Sequence, residues 1–102
     1  MKNFNQAVII GTIARKPSVF DNTKHKKATF TVIEKSKRND QEFSNYIPCE
    51  AWGSMAEIAE SLEAGIICTI IGKVKSSSYE KDGQKVWKTV VDCMNIIPAV
   101  PF

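Results

Sequence analysis

A chain of 102 residues, 43% hydrophobic and 25% charged, carries enough apolar material for one core without disulfides or a metal. It has no apolar run approaching the roughly 18 residues of a membrane span. Met1-Lys2-Asn3-Phe4-Asn5-Gln6 offers no apolar signal region, so a cytoplasmic protein is expected. The net charge of +3 is modest, but its distribution is informative. Lys24, His25, Lys26 and Lys27 form one cluster, Lys35, Lys37 and Arg38 a second, and Lys73 and Lys75 a third. The acids gather between Glu50 and Glu63 and at Glu80–Asp82, a separation that allows one basic face.

Residues 4–14, FNQAVIIGTIA, read as a first strand covered on both faces, with Gly11 at a bend of the kind small barrels need and Pro17 ending the run. Ala7, Ile9 and Ile13 alternate with Val8 and Ile10. A barrel strand needs only one apolar face, so the other is expected to meet a second copy of the chain in a symmetric homo-oligomer. Residues 26–35 alternate Ala28, Phe30 and Val32 against Lys27, Thr29 and Thr31, a second strand, and a polar loop is expected over Ser36–Glu42. Residues 44–52 make a third strand, with Ile47, Cys49 and Ala51 opposing Tyr46, Glu50 and Trp52. Pro48 within it marks an edge, a bulge or a missing ladder bond.

Ser54-Met55-Ala56-Glu57 reads as a capping box for a short helix with Met55, Ile58, Ala59 and Leu62 as its apolar stripe and Gly65 as its C-cap. The helix should plug one end of whatever the strands form. A fourth strand runs from about Ile66 to Ser78, with Cys68, Ile70, Gly72 and Val74 alternating against Thr69, Ile71, Lys73, Lys75 and Ser77. Asp82-Gly83 predicts a type I′ hairpin, and a fifth strand follows from about Gln84 to Ile97, stopped by Pro98. Cys49, Cys68 and Cys93, odd in number and each in an apolar run, read as small buried hydrophobes. Three strands, a helix and two strands give a mainly β fold in the order of an OB-fold, a five-stranded Greek-key barrel that commonly binds oligonucleotides. Residues 1–102 read as a single domain.

The strand patterns assemble a chemistry. Lys73, Lys75, Ser77 and Tyr79 project from one face of the fourth strand, Tyr46 and Trp52 share a face of the third, and Trp87 lies on the strand paired with Tyr79. Lys35, Lys37 and Arg38 add cations. Ammonium groups meet phosphates, and rings stack on unpaired bases at roughly 1–3 kcal/mol each. Duplex DNA hides its base faces, so the pattern favours single strands. Catalysis has no such support. The one histidine, His25, sits in a lysine cluster without a sequence partner, the carboxylates read as a solvated helix face, and there is no glycine-rich phosphate loop. No enzymatic activity, metal or cofactor is expected.

The chain resembles the bacterial single-stranded DNA-binding proteins over nearly its whole length. The likeness lies in N-Q-A-V-I-I-G-T-I-A-R-K-P (5–17), C-E-A-W-G-S-M-A-E-I-A-E-S-L-E-A-G (49–65), I-I-G-K-V-K-S-S-S-Y (70–79) and D-G-Q-K-V-W-K-T (82–89). It implies non-sequence-specific single-stranded DNA binding in replication, recombination and repair, with Tyr46, Trp52 and Tyr79 stacking on bases. It also implies subunit pairing through the first strand, Asn5 to Ile13, with Asn5, Ala7, Val8, Ile9 and Ile10 at the interface of a tetramer or, failing that, a dimer. Two departures stand out. The family often has a further stacking tryptophan after the second strand, where this chain has Glu34-Lys35-Ser36-Lys37-Arg38, and its flexible linker and acidic tail are missing before Phe102. A tail-less phage or plasmid relative, a shortened form of a longer chain, or a primosomal cousin of the family is therefore expected. Val100, Pro101 and Phe102 resemble the tip of such a tail and are expected either to pack on the barrel or to recruit replication or repair proteins. The alternative function is a primosome-type adaptor bridging replication proteins, for which basic residues alone would suffice.

Overall fold

The computed structural model describes residues 2–22 and 24–99, so the expected tip at Val100, Pro101 and Phe102 lies outside the described residues. In chain order the elements are β1 (Ala7–Ile13), β2 (Ser18–Asp21), β3 (Lys26–Arg38), β4 (Gln41–Trp52), α1 (Ser54–Glu60), β5 (Ile67–Lys81) and β6 (Gln84–Pro98). The strands lie in one sheet in the order β1-β5-β6-β4-β3-β2. β1 also pairs with β3 at Thr12–Ile33 and Ile13–Val32, which closes β1, β5, β6, β4 and β3 into the expected five-stranded OB barrel. All pairings are antiparallel except β4 with β6, which meet in parallel at Cys49–Val91 and Glu50–Asp92.

Closure depends on Gly11. A Cβ there would stand 2.5 Å from the Ile33 carbonyl oxygen and 2.6 Å from Val32 Cγ1, so the mid-run glycine marks the close approach of two backbones. The inward faces follow the sequence alternation. Ala28, Phe30 and Val32 of β3 meet Cys49 and Ala51 of β4, Cys68 and Ile70 of β5, and Val91 and Cys93 of β6. All three cysteines are buried and free.

Three local features differ from expectation. β2 is an additional short strand, laid antiparallel on β3 from Ser18–Thr29 to Asp21–Lys26 outside the closed ring. Its four residues, Ser-Val-Phe-Asp, are too few to show a period. The expected loop at Ser36–Glu42 is instead the end of a long β3–β4 hairpin. Its turn is only Asn39-Asp40, both with positive φ (50° and 63°), the conformation of a type I′ turn made without glycine. The capping box does not form either. Ser54 is already helical, Gly53 (φ 60°) stands at the N-cap, and no side chain caps the helix. Ala56, Ala59 and, just beyond the helix, Leu62 face the core, whereas Ile58 is exposed. Gly65 is tied to β1 through its N–H, which donates to the Ile13 carbonyl (2.8 Å), and so anchors the turn after the helix. Lys16 holds the helix end, donating from Nζ to the carbonyls of Glu60 (3.2 Å) and Leu62 (3.3 Å), the place where a cation complements the helix dipole.

Replacing Gly11 by Ala should lower the stability of the fold by about 1–3 kcal/mol through overpacking. The loss should be read as a reduced urea midpoint at unchanged m-value. An unchanged midpoint would show that β1 can move off β3 without cost.

Candidate nucleic-acid interface

Register decides which side chains share the outer face of the barrel, because paired residues point the same way and each strand alternates. Lys27 pairs with Trp52 and Ile33 with Tyr46 across β3 and β4. Glu50 of β4 pairs with Asp92 of β6, which pairs with Lys73 of β5. Following β5 and β6 outward brings Lys75, then Ser77 opposite Lys88, then Tyr79 to the same side. Tyr46, Trp52 and Tyr79 are thus on one face, 66%, 43% and 46% exposed. Tyr46 and Lys88 line a groove there with Thr29, Thr31, Pro48 and Glu50.

Cations interleave these rings. Lys27 and Lys75 place their ammonium groups 5.0 Å and 5.4 Å from the Trp52 ring centroid, and Lys88 lies 5.8 Å from that of Tyr79. The same two lysines reach Glu50, only 2% exposed, with Lys75 Nζ 3.3 Å from Oε1 and Lys27 Nζ 3.8 Å from Oε2. Burial pushes the Glu50 carboxyl pKa up. Lys27, with the Ser77 hydroxyl and Lys75 behind it, outweighs burial and holds the group below its ordinary value.

The structure divides the remaining expected site residues. Trp87 pairs with Ser78, so it points to the opposite side of the β5–β6 hairpin from Tyr79, with Lys85 over its ring at 4.9 Å. The alternation of β6 forces this, since the partner of Tyr79 is Val86. Lys35 and Lys37, paired with Ser44 and Glu42, share the face of Tyr46, whereas Arg38, paired with Gln41, falls on the other. Lys73 is exposed beside Asp92.

In the first strand Ala7 and Ile9 pack against the core, so they are not part of an outward surface. Asn5 is occupied within the chain. Its side-chain amide donates to the Val74 carbonyl (2.6 Å), and its Oδ1 accepts from the Val74 N–H (3.0 Å), extending the ladder by one side chain. Val8 and Ile10 do face outward, 60% and 64% exposed, beside Ile67 and Ile97 at 54% and 47%. The pairings Val8–Ile71, Ile10–Thr69 and Thr69–Ile97 make this a three-stranded apolar surface.

Sequence reasoning missed Lys27, Lys88 and the role of Glu50. Lys27 stood on the correct side of its strand in the alternation, but only the β3–β4 register puts it against Trp52. The cluster it belongs to breaks up in space, since Lys26 turns to an ion pair with Glu60 on the helix.

Residues 4–98 match the model of the single-strand binding protein family. The chain belongs to this family. A single-stranded DNA-binding protein of Staphylococcus epidermidis is 31% identical over 84 residues, covering 78% of this chain and 64% of that protein. The single-stranded DNA-binding protein 2 of a serotype V strain of Streptococcus agalactiae is 28% identical over 93 residues, covering 86% and 71%. The fold is similar to that of the Plasmodium falciparum SSB solved in complex with ssDNA, with a TM-score of 0.83 at 14% identity over 98% of each chain.

The lowered Glu50 pKa has a pH signature. A carboxylate depressed in the folded state contributes stability above its unfolded pKa of about 4.3 and loses that contribution as pH falls through the lower folded value. The melting-temperature gap between the wild-type chain and Glu50→Gln should therefore narrow as the buffer is taken from neutral to about pH 3. A gap that stays constant would mean that the charge on Glu50 does not contribute.

Proposed function

We propose that the chain binds single-stranded DNA without sequence preference and coats it during replication, recombination and repair, with no catalytic step of its own. The observation that carries this reading is Trp52, an exposed indole with two lysine ammonium groups within 5.4 Å of its ring centroid, on the same barrel face as Tyr46 and Tyr79. Flat rings accept bases of any sequence, and the cations between them meet the phosphates. The names of the Staphylococcus and Streptococcus relatives support the same ligand, as does the single strand held by the Plasmodium protein. Tyr46, Trp52 and Tyr79 are the proposed stacking set, with Lys27, Lys35, Lys37, Lys73, Lys75 and Lys88 around them. Trp87 would be reached only by a strand that wraps the hairpin. An adaptor that bridges proteins would not need this row of exposed rings.

The same reading includes assembly. The surface of Val8, Ile10, Ile67 and Ile97 is the proposed contact between copies, in a homotetramer or at least a dimer. Apolar side chains exposed on adjoining strands gain by meeting their symmetry mates.

Poly-dT should quench the tryptophan fluorescence. Trp52→Ala and Tyr79→Ala should each weaken binding by roughly 1–3 kcal/mol, and log K should fall with log salt by about 0.7 per phosphate neutralised. Duplex DNA outcompeting poly-dT, or both variants binding within a factor of about two of wild type, would defeat the stacking platform. For assembly, Ile10→Asp should reduce the mass found by light scattering at micromolar concentration while the circular dichroism of the barrel persists. A monomeric wild type would refute the contact.

A further inference from the structure

We propose that Glu50 is an internal competitor of DNA phosphate, holding Lys27 and Lys75 beside the Trp52 ring until the phosphates of a bound strand draw them away. The inference rests on the single-strand reading and names what tunes that site. Glu50 belongs to the outer face by register, yet it is 2% exposed, the one charged side chain among the described residues to be so deeply withdrawn. Its Oε2 has no hydrogen-bond partner, and its nearest cation there is Lys27 at 3.8 Å. A buried carboxylate with an unfilled acceptor is costly unless cations stand over it.

Those cations are the two found on Trp52. Ammonium groups 5.0 Å and 5.4 Å from one ring centroid repel each other, and each is drawn down to 31% side-chain exposure. The indole attracts them only weakly at an exposed site. The Glu50 carboxylate attracts both. Among the other charges on this face, Asp92 on β6 is the register partner of Glu50 but faces Lys73, and Ser77 on β5 is neutral.

A strand whose base stacks on Trp52 brings its phosphates near the two ammonium groups beside the ring. Those phosphates compete with Glu50 for Lys27 and Lys75. Base contact and phosphate contact become one event, and Glu50 sets how much it costs. The trio of two lysines and one glutamate carries a net charge of +1, and removing the carboxylate charge makes it +2.

The test uses Glu50→Gln in a Trp87→Phe background, so that Trp52 is the sole indole, titrated with poly-dT over a range of salt. Tighter binding at low salt is expected, with a log K against log salt slope steeper by about 0.7. Acrylamide should also quench Trp52 of the free variant more readily, because the lysines no longer cover the ring. In a Lys27→Gln/Lys75→Gln background the same Glu50→Gln change should have no effect on affinity or slope, a non-additivity that a general change of surface charge would not produce. Should Glu50→Gln fail to fold, Glu50→Asp draws the carboxylate back by one methylene and should shift affinity and quenching the same way, by less.

Wild type quenched by poly-dT while Glu50→Gln keeps its affinity and slope would overturn this inference alone. A gain that persists without the two lysines would overturn it as well. A wild-type chain that poly-dT does not quench would remove the single-strand reading, and this inference with it.

Discussion

The barrel closes where β1 meets β3, at Thr12–Ile33 and Ile13–Val32, over a glycine with no side chain to obstruct it. Strand residues alternate with a period of two, so closing the ring fixes the parity of every strand at once. A slip of one residue in β3 would carry Lys27, Thr29 and Thr31 into the core and expose Ala28, Phe30 and Val32. The same constraint puts Trp52, Lys75 and Tyr79 together outside. The core and the candidate interface are two sides of one register.

Much of this was legible in the chain. Alternation in 26–35 and 44–52 gave the inward faces correctly, Asp82-Gly83 gave the β5–β6 turn, and the element order gave the barrel. What was hidden depended on pairing across strands. Asn39-Asp40 makes its turn without the glycine that usually signals one, so the β3–β4 hairpin looked like a loop. Trp87 and Tyr79 seemed companions because they flank one turn, and only the pairing of Tyr79 with Val86 separates them. Ala7 and Ile9 shared an apolar run with Val8 and Ile10, and continuous hydrophobicity does not reveal which side is the core. The capping box failed because Gly53 turns the chain at positive φ, so the helix begins one residue before Ser54 could act as its cap.

The electrostatics follow space rather than sequence. Lys26 and Lys27 are adjacent in the chain but serve different partners, one the helix residue Glu60 and the other the buried Glu50. Lys16 is spent on the end of the helix. Part of the basic charge therefore stabilises the fold, and the lysines of the candidate interface are drawn from three strands, β3, β5 and β6, with no run of lysines to announce them.

The parallel meeting of β4 and β6 at Cys49–Val91 and Glu50–Asp92 has a mechanical consequence. The β3–β4 hairpin, carrying Tyr46, Lys35 and Lys37, is stiffened along its length by its own antiparallel ladder, and so is the β5–β6 hairpin that carries Tyr79 and Lys88. Within the sheet these two arms touch directly only at that short seam, and β1, paired with both β3 and β5, joins them on the other side of the ring. The groove lined by Tyr46, Pro48 and Lys88 also takes in Cys49 and Glu50 of the seam. Local opening favours the segments with the fewest cross-strand bonds. The β1–β3 closure is equally short, two residue pairs, and one core is shared by both arms, so parting them at either junction would expose that core to water.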